Sequence, residues 1–412
     1  MPASPEQPAR PAPARPAPGR SPLGPAFLAR PEPLLDELRE RCPVAPVTTP
    51  AGNRVWLVTR DAAVRAGFLD PRLSLHTPKP PPDRPHRAGD TSLVHRDGPD
   101  HLRIRRLAGP ALAPARVARL RPRVEALAHT RLTALGRPDT LDLLGAFAEP
   151  FAFDVLCAAF GIPDADAPRL HAAVRDLLAH RLVDPALNTL DALIRALVAR
   201  AEAGAAAPGV ITDVHAAWRE AGNVTADELV DLLAMLVLAG FDATVQMVGL
   251  AVRTLLDRPH LADRLRTDPA ATGAVIEELL RRDTPAPFAT RRIATADLTI
   301  DGTAVPRGSS VLLAITGANR DPRRHPEPDT DPHADPRTGP AASARPHLTF
   351  GAGPHFCPGA ALARLELAVA LPALLAHWPR LRPACPADRL RWTGGFQHRR
   401  LTALPVHPDP AP

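Results

Sequence analysis

Along most of this chain apolar residues recur three and four positions apart, the spacing of helices with one buried face. That spacing predicts helices over residues 33–41, 61–68, 114–135, 149–160, 164–181, 185–203 and 271–282, with Asp61 capping the second. The longest runs from Thr225 to about Leu256, and Thr225 followed by Glu228 is a capping-box signature. At 1.5 Å per residue that helix would extend roughly 48 Å. Its middle, residues 232–250, is apolar on nearly every side, as expected of a helix running through the centre of the molecule. Short runs at 55–59, 297–300 and 310–313 read as strands. Residues 71–98 form a Pro-, His-, Asp- and Arg-rich connection without periodicity, a kind of loop that often serves as a lid. The expected fold class is mainly α with small β-sheets, in a single domain over residues 29–412. Residues 1–28, rich in Pro, Ala and Arg without an apolar core, read as a disordered tail.

Two stretches interrupt this pattern. Ala239, Gly240, Phe241, Asp242, Ala243 and Thr244 fall in the apolar middle of the long helix. A glycine inside a helix costs about 1 kcal/mol relative to alanine, and a buried unpaired carboxylate costs more. A chain that keeps both at one point marks a site. The second stretch is Phe350-Gly351-Ala352-Gly353-Pro354-His355-Phe356-Cys357-Pro358-Gly359, directly before a helical run over 360–378. Glycines let a backbone pass close to a flat ligand, and a helix N-terminus favours a thiolate over a thiol. No second cysteine lies near Cys357, so neither a zinc site nor a Cys-x-x-Cys cluster is available. A lone soft ligand suits a metal that brings its other ligands with it, for which haem iron is the obvious choice. The plain alternative is an ordinary buried thiol. Pro358 has no N–H, so one amide that could reach the sulfur is missing.

The pattern FGxGxHxCxG resembles the haem-ligand signature of the cytochrome P450 family, and the following residues through Glu366 resemble its bacterial branch. The resemblance implies haem b (iron protoporphyrin IX) between the long central helix and the cysteine loop with its following helix. Cys357 would be the axial ligand, with Phe350, Gly351, Gly359 and Ala239 beside the cofactor. His101 and Arg105, four apart on one helix face, read by themselves as a solvated basic face or as donors to two carboxylates. The family assigns such a pair to the haem carboxylates, along with His355 and Arg292, with Arg291 the rival of Arg292. Glu278 and Arg281 match the structural ExxR pair. The arginine that usually completes it is replaced by Thr330, and Arg337 is an unassigned substitute. Phe241, Pro287, Phe288, Ala289 and Phe396 would line the substrate pocket, and the helices on either side of Asp184 would form a mobile roof.

In the central helix the family holds an acid followed by a threonine, in a widened turn, that guide protons to the reacting dioxygen. Gly240 and Asp242 match, but Ala243 stands where the threonine is expected. Thr244 comes one residue later, about 100° round the helix. Three readings follow: a substrate hydroxyl or water completes proton delivery, the reaction is a coupling or desaturation, or a distorted helix brings Thr244 into the site. The first two are preferred, because alanine supplies no hydroxyl.

Composition narrows the partners. With 45% hydrophobic residues the chain can bury a large core. Its formal charge of +6 and pI near 10.1 could suggest nucleic acid, but Lys79 is the only lysine and the arginines are scattered, so no nucleic-acid partner is expected. Four widely spaced cysteines show no disulfide framework, which fits a reducing cytoplasm. The longest uninterrupted apolar run, 232–239, is far below the ~20 residues that cross a bilayer, so no membrane is expected. There is no Rossmann fingerprint and no fused flavin or iron–sulfur module. Electrons would come from a ferredoxin and an NAD(P)H-dependent ferredoxin reductase, docked on the basic surface around the cysteine loop with Arg364 contributing. The expected protein is a monomeric haem-thiolate monooxygenase that hydroxylates or oxidatively couples a small natural product in bacterial secondary metabolism. The rival is a catalytically silent helper of another enzyme that has kept this fold.

Overall fold

A computed structural model of the chain describes residues 21–76, 92–179, 183–326 and 346–408. The central element is the helix Ala226–Asp257, 32 residues long. Both halves of its capping box form: the Glu228 amide donates to Thr225 Oγ1 at 3.2 Å, and the Thr225 amide donates to Glu228 Oε2 at 3.0 Å. Around it pack the helices Glu149–Phe160, Val183–Glu202, Pro259–Thr267 and Ala360–His377. The segment Leu144–Ala148 packs tightly on it at Gly249, where a Cβ would lie 2.4 Å from Leu144 Cδ2. One large cluster of buried Leu, Val, Ile, Phe and Ala side chains joins these helices into a continuous core.

Among the described residues, two helices are long and apolar enough to cross a membrane, Ala226–Asp257 and Ala360–His377, which a count of uninterrupted apolar residues does not suggest. In the fold 67% and 56% of their most apolar stretches are buried inside the protein.

The largest sheet has five strands in the order Val44–Thr48, Arg54–Val58, Ser310–Leu313, Arg292–Ala294, Leu73–Ser74. The first two form an antiparallel hairpin with Val44 opposite Val58, and the second runs parallel to the third with Leu57 opposite Leu312. Asp61 does not cap its helix. The cap is Arg60, and the Asp61 carboxylate instead receives Arg65 Nε at 2.8 Å.

The expectation of a disordered tail fails for residues 21–28. Pro25–Ala29 is a short helix, Leu23 and Phe27 are buried, and the Phe27 ring stacks on Phe288 with centroids 5.4 Å apart. The apolar residues responsible are only two, too few to show as a period. Near the other end, Trp392–Gly395 and His398–Leu401 form an antiparallel hairpin. Gly394 there has φ +94°, and a Cβ would lie 2.2 Å from the His398 carbonyl oxygen, so only glycine fits. Thr330, Arg337 and residues 77–91 of the expected lid lie outside the described residues.

Candidate active site

The loop before Ala360–His377 is shaped by two glycines. Gly351 and Gly353 both have φ +71°, which L side chains rarely adopt, and a Cβ on Gly353 would come 2.7 Å from Leu69 Cδ2. The Cys357 amide closes the loop by donating to the Phe350 carbonyl at 2.9 Å. Gly359 is the helix N-cap with an ordinary φ of −82°. Burial pushes the Cys357 thiol above its ordinary range, opposed by amide hydrogen bonds from Gly359 and Ala360 and by the charges of Arg105 and Arg364. The missing amide at Pro358 therefore leaves two donors to the sulfur. A metal arriving here must displace the thiol proton.

Next to this loop stand the four expected carboxylate partners. His101 is 1% exposed and its ring lies 3.9 Å from that of His355, tilted 36°. His355 Nε2 lies 3.1 Å from Asp97 Oδ1, and Arg105 Nη2 donates to the Phe356 carbonyl at 2.6 Å. Arg292 is buried by strand alternation, donates Nη1 to the Leu73 carbonyl at 3.0 Å and lies over the Phe68 ring. Arg291, the rival, is exposed and bonds Ser310. Burial and the nearby His355 and Arg105 hold His101 down to about 4, so it is neutral. Arg292 is also lowered by burial, with Asp97 its only opposing charge. Asp97 is already engaged by Ser74 Oγ and the amides of Leu75 and His76. Both Arg292 Nε and His101 Nδ1 are buried without a partner. Two guanidiniums and two imidazoles around a single occupied carboxylate suit a ligand that brings carboxylates, so the residues fit a haem.

The loop is braced from behind. Arg281 meets Glu278 through two bonds of 2.8 Å and donates Nη1 to the Asn319 carbonyl at 2.7 Å. The Asn319 side chain receives the Leu348 amide at 2.6 Å and donates to Thr349 Oγ1 at 2.9 Å, just before Phe350. Arg364 stacks on Phe350 with 4.6 Å to the ring centroid. It also pairs with Glu277 through bonds of 2.6 and 2.9 Å, which partly compensates its charge.

On the central helix Ala239 and Ala243 are exposed while the residues around them are mostly buried. Four apart, they share one face of the helix, which is left uncovered there. Gly240 and Asp242 flank it, half-buried. Asp242 Oδ1 is 2.9 Å from Arg400 Nη2. Burial raises the Asp242 carboxyl above its usual range, against the opposing charges of Arg400 and His398.

Thr244 turns elsewhere: it is 6% exposed, and its hydroxyl lies 3.0 Å from the Gly240 carbonyl and 3.2 Å from Glu366 Oε2. Residues 226–257 are α-helical throughout, so no distortion swings Thr244 onto the open face. Glu366 is 2% exposed, and burial pushes it up to about 8 with Thr244 its one opposing influence. A protonated Glu366 can donate to Thr244 while Thr244 donates to Gly240.

Of the expected apolar lining, Phe241 needs correction. Phe241 is 2% exposed and packs edge-on against Phe153 and His171, on the side of the helix away from Ala239 and Ala243. Phe288 faces Phe27, and Pro287 and Ala289 are buried beside the sheet. Phe396 is half-buried, edge-on to Phe288 at 6.2 Å. Sequence reasoning missed the parts played by Glu366, His398 and Arg400. For Glu366 a signal existed, an acid among apolar neighbours at helical spacing; for the other two there was none.

The fold and this donor set define a haem-thiolate protein. A family model described as Cytochrome P450 matches residues 213–384. Among curated proteins, the 6-deoxyerythronolide B hydroxylase of Saccharopolyspora erythraea is 33% identical over 90% of this chain and 95% of its own length. Among solved structures, ligand-free P450 monooxygenase TamI superposes with TM-score 0.84 at 32% identity, covering 94% of this chain and 93% of that one. CxnD, a P450 for C–S bond formation in chuangxinmycin biosynthesis, gives TM-score 0.78 at 30% identity over 92% and 95%. The chain belongs to the cytochrome P450 family, and so is a haem-dependent monooxygenase-type oxidoreductase acting on small molecules.

Proposed function

We propose that this enzyme oxidises a small natural product in bacterial secondary metabolism, using haem b and electrons from a ferredoxin and its NAD(P)H-dependent reductase, as a cytoplasmic monomer. The observation that carries the reading is the presence, around the Cys357 loop, of the buried nitrogens His101 Nδ1 and Arg292 Nε without partners. Cys357 would hold the iron, and His101, Arg105, His355 and Arg292 the two carboxylates. When bound, the haem supplies dioxygen activation, which electron donation from the thiolate favours.

The chain's own work is to bring protons. Ala243 offers no hydroxyl on the open face, and the titratable group that flanks it on the helix is Asp242. A substrate hydroxyl or an ordered water beside Ala243 would carry its proton onward. Glu366, neutral at pH 7, keeps a second proton on the Thr244 side of the helix.

Relatives support both outcomes left open by Ala243: one is named a hydroxylase, and another is a P450 for C–S bond formation. The retention of Cys357 and of the Glu278–Arg281 pair opposes a silent helper. The test is a panel of polyketide, peptide and aromatic natural products screened by substrate-induced spectral shift, then turnover with ferredoxin and reductase under labelled dioxygen. A product carrying label means insertion, and an oxidised product without label means coupling or desaturation. Spectral binding without any oxidised product would refute the proposal.

A further inference from the structure

Arg400 touches two elements that have no sequence proximity. One of its terminal nitrogens, Nη2, lies 2.9 Å from Asp242 Oδ1 in the central helix. The other, Nη1, donates at 2.9 Å to the carbonyl of Leu178, the last residue of the helix Ala167–Leu178. The last carbonyls of a helix lack intrahelical partners and carry the negative end of its dipole, so a guanidinium there is a favourable cap.

The hairpin delivers Arg400 to this position through strand alternation. Its neighbour Arg399, 1% exposed, points the opposite way into a buried set. There it donates Nη2 to Asp283 at 2.8 Å, Arg253 and Thr254 reach the same carboxylate, and its guanidinium lies over the Trp392 ring. With Arg399 pinned from behind, His398 and Arg400 are presented together on the Asp242 side. The charges of Glu149 and His398 also meet Arg400 there, and Glu149 is itself bound by His171 and Arg175 of the helix Ala167–Leu178. A planar fork with two separate nitrogens can satisfy a carboxylate and a carbonyl at once, which a lysine cannot reproduce.

We propose that Arg400 is a positioning residue that couples the seating of the helix Ala167–Leu178 to the orientation of Asp242. While the end of that helix is seated, Arg400 is held at both ends and fixes the carboxylate. When it lifts, Arg400 loses one acceptor and Asp242 gains rotational freedom. This coupling rests on the proposed role of Asp242 in proton supply.

Hydrogen exchange on the purified holoenzyme tests it. Arg400→Met should speed exchange of the amides in the last turn of Ala167–Leu178 by about tenfold, the loss of one charge-assisted hydrogen bond. Asp242→Asn, which alters a different helix, should speed the same amides, and the double variant should go no further than Arg400→Met alone. Should Arg400→Met fail to fold, Arg400→Lys keeps the charge without spanning both acceptors and serves in its place. In the reconstituted system the Arg400 variant should also release a larger share of its electrons as hydrogen peroxide, with an unchanged haem spectrum. A simple brace would loosen the helix end in the Arg400 variant and leave it untouched in Asp242→Asn, which overturns the coupling. Unchanged exchange in the Arg400 variant also overturns it. Loosening in both single variants without a change in peroxide release keeps the coupling and refutes only the role of Asp242 in proton supply.

Discussion

Glu366 is a carboxyl group in one of the driest places in the protein. It is 2% exposed, its one hydrogen-bonding partner is Thr244, and burial raises it from 4.5 to about 8. Between those two values the folded protein holds the proton and the unfolded chain has released it. The unfolded state thus binds one proton fewer, and stability falls by about 1.4 kcal/mol for each pH unit as pH rises through this window. From pH 5 to pH 8 the loss from this one residue is on the order of 4 kcal/mol. Glu366→Gln keeps the size and a donor for Thr244 but cannot ionise. Urea unfolding of holoenzyme at pH 5, 6, 7 and 8 should show wild type losing stability relative to the variant by that amount, with the two closest at pH 5. Parallel stability curves for the two proteins would refute the buried, protonated state of Glu366.

The remaining expectations concern the loop, the open face and the hairpin. Arg281→Ala takes the two-bond partner from Glu278, which keeps the 3.1 Å bond from Arg282, and leaves the Asn319 carbonyl without its donor. It should cost roughly 1–3 kcal/mol, read as a lower urea midpoint, and reduce the haem bound per protein. Ala243→Thr restores a hydroxyl on the exposed stripe and should change the ratio of product formed to electrons consumed with the native substrate; an unchanged ratio means the missing hydroxyl is unimportant. Gly394→Ala forces a side chain against the His398 carbonyl at φ +94°, and should lower stability by about 1–3 kcal/mol and weaken the hold of Arg400 on Asp242.

Much of this arrangement is legible in the sequence, for reasons that differ by residue. The central helix announces itself through an apolar middle and through Thr225 and Glu228, whose mutual bonds are local enough to read from spacing. The cysteine loop is legible because close backbone turns demand glycine at fixed places, and Gly351 and Gly353 adopt the conformations that demand implies. Side-chain direction is less accessible. Phe241, two residues from both Ala239 and Ala243, points into the core because residues two apart on a helix face opposite ways, and Phe288 packs on Phe27. The short helix Pro25–Ala29 was hidden in a proline-rich stretch whose only packing signals are Leu23 and Phe27. The partnership of Asp242 with Arg400 spans distant segments and is created by the hairpin register, which no local pattern encodes.

The most direct test of the central claim is the absorption spectrum of the dithionite-reduced protein under carbon monoxide, for wild type and for Cys357→Ser, made with ample porphyrin precursor. The account predicts the red-shifted Soret band of a thiolate-bound haem in wild type and its absence in the variant. A colourless wild-type protein, or the same band with Cys357 replaced, would contradict it.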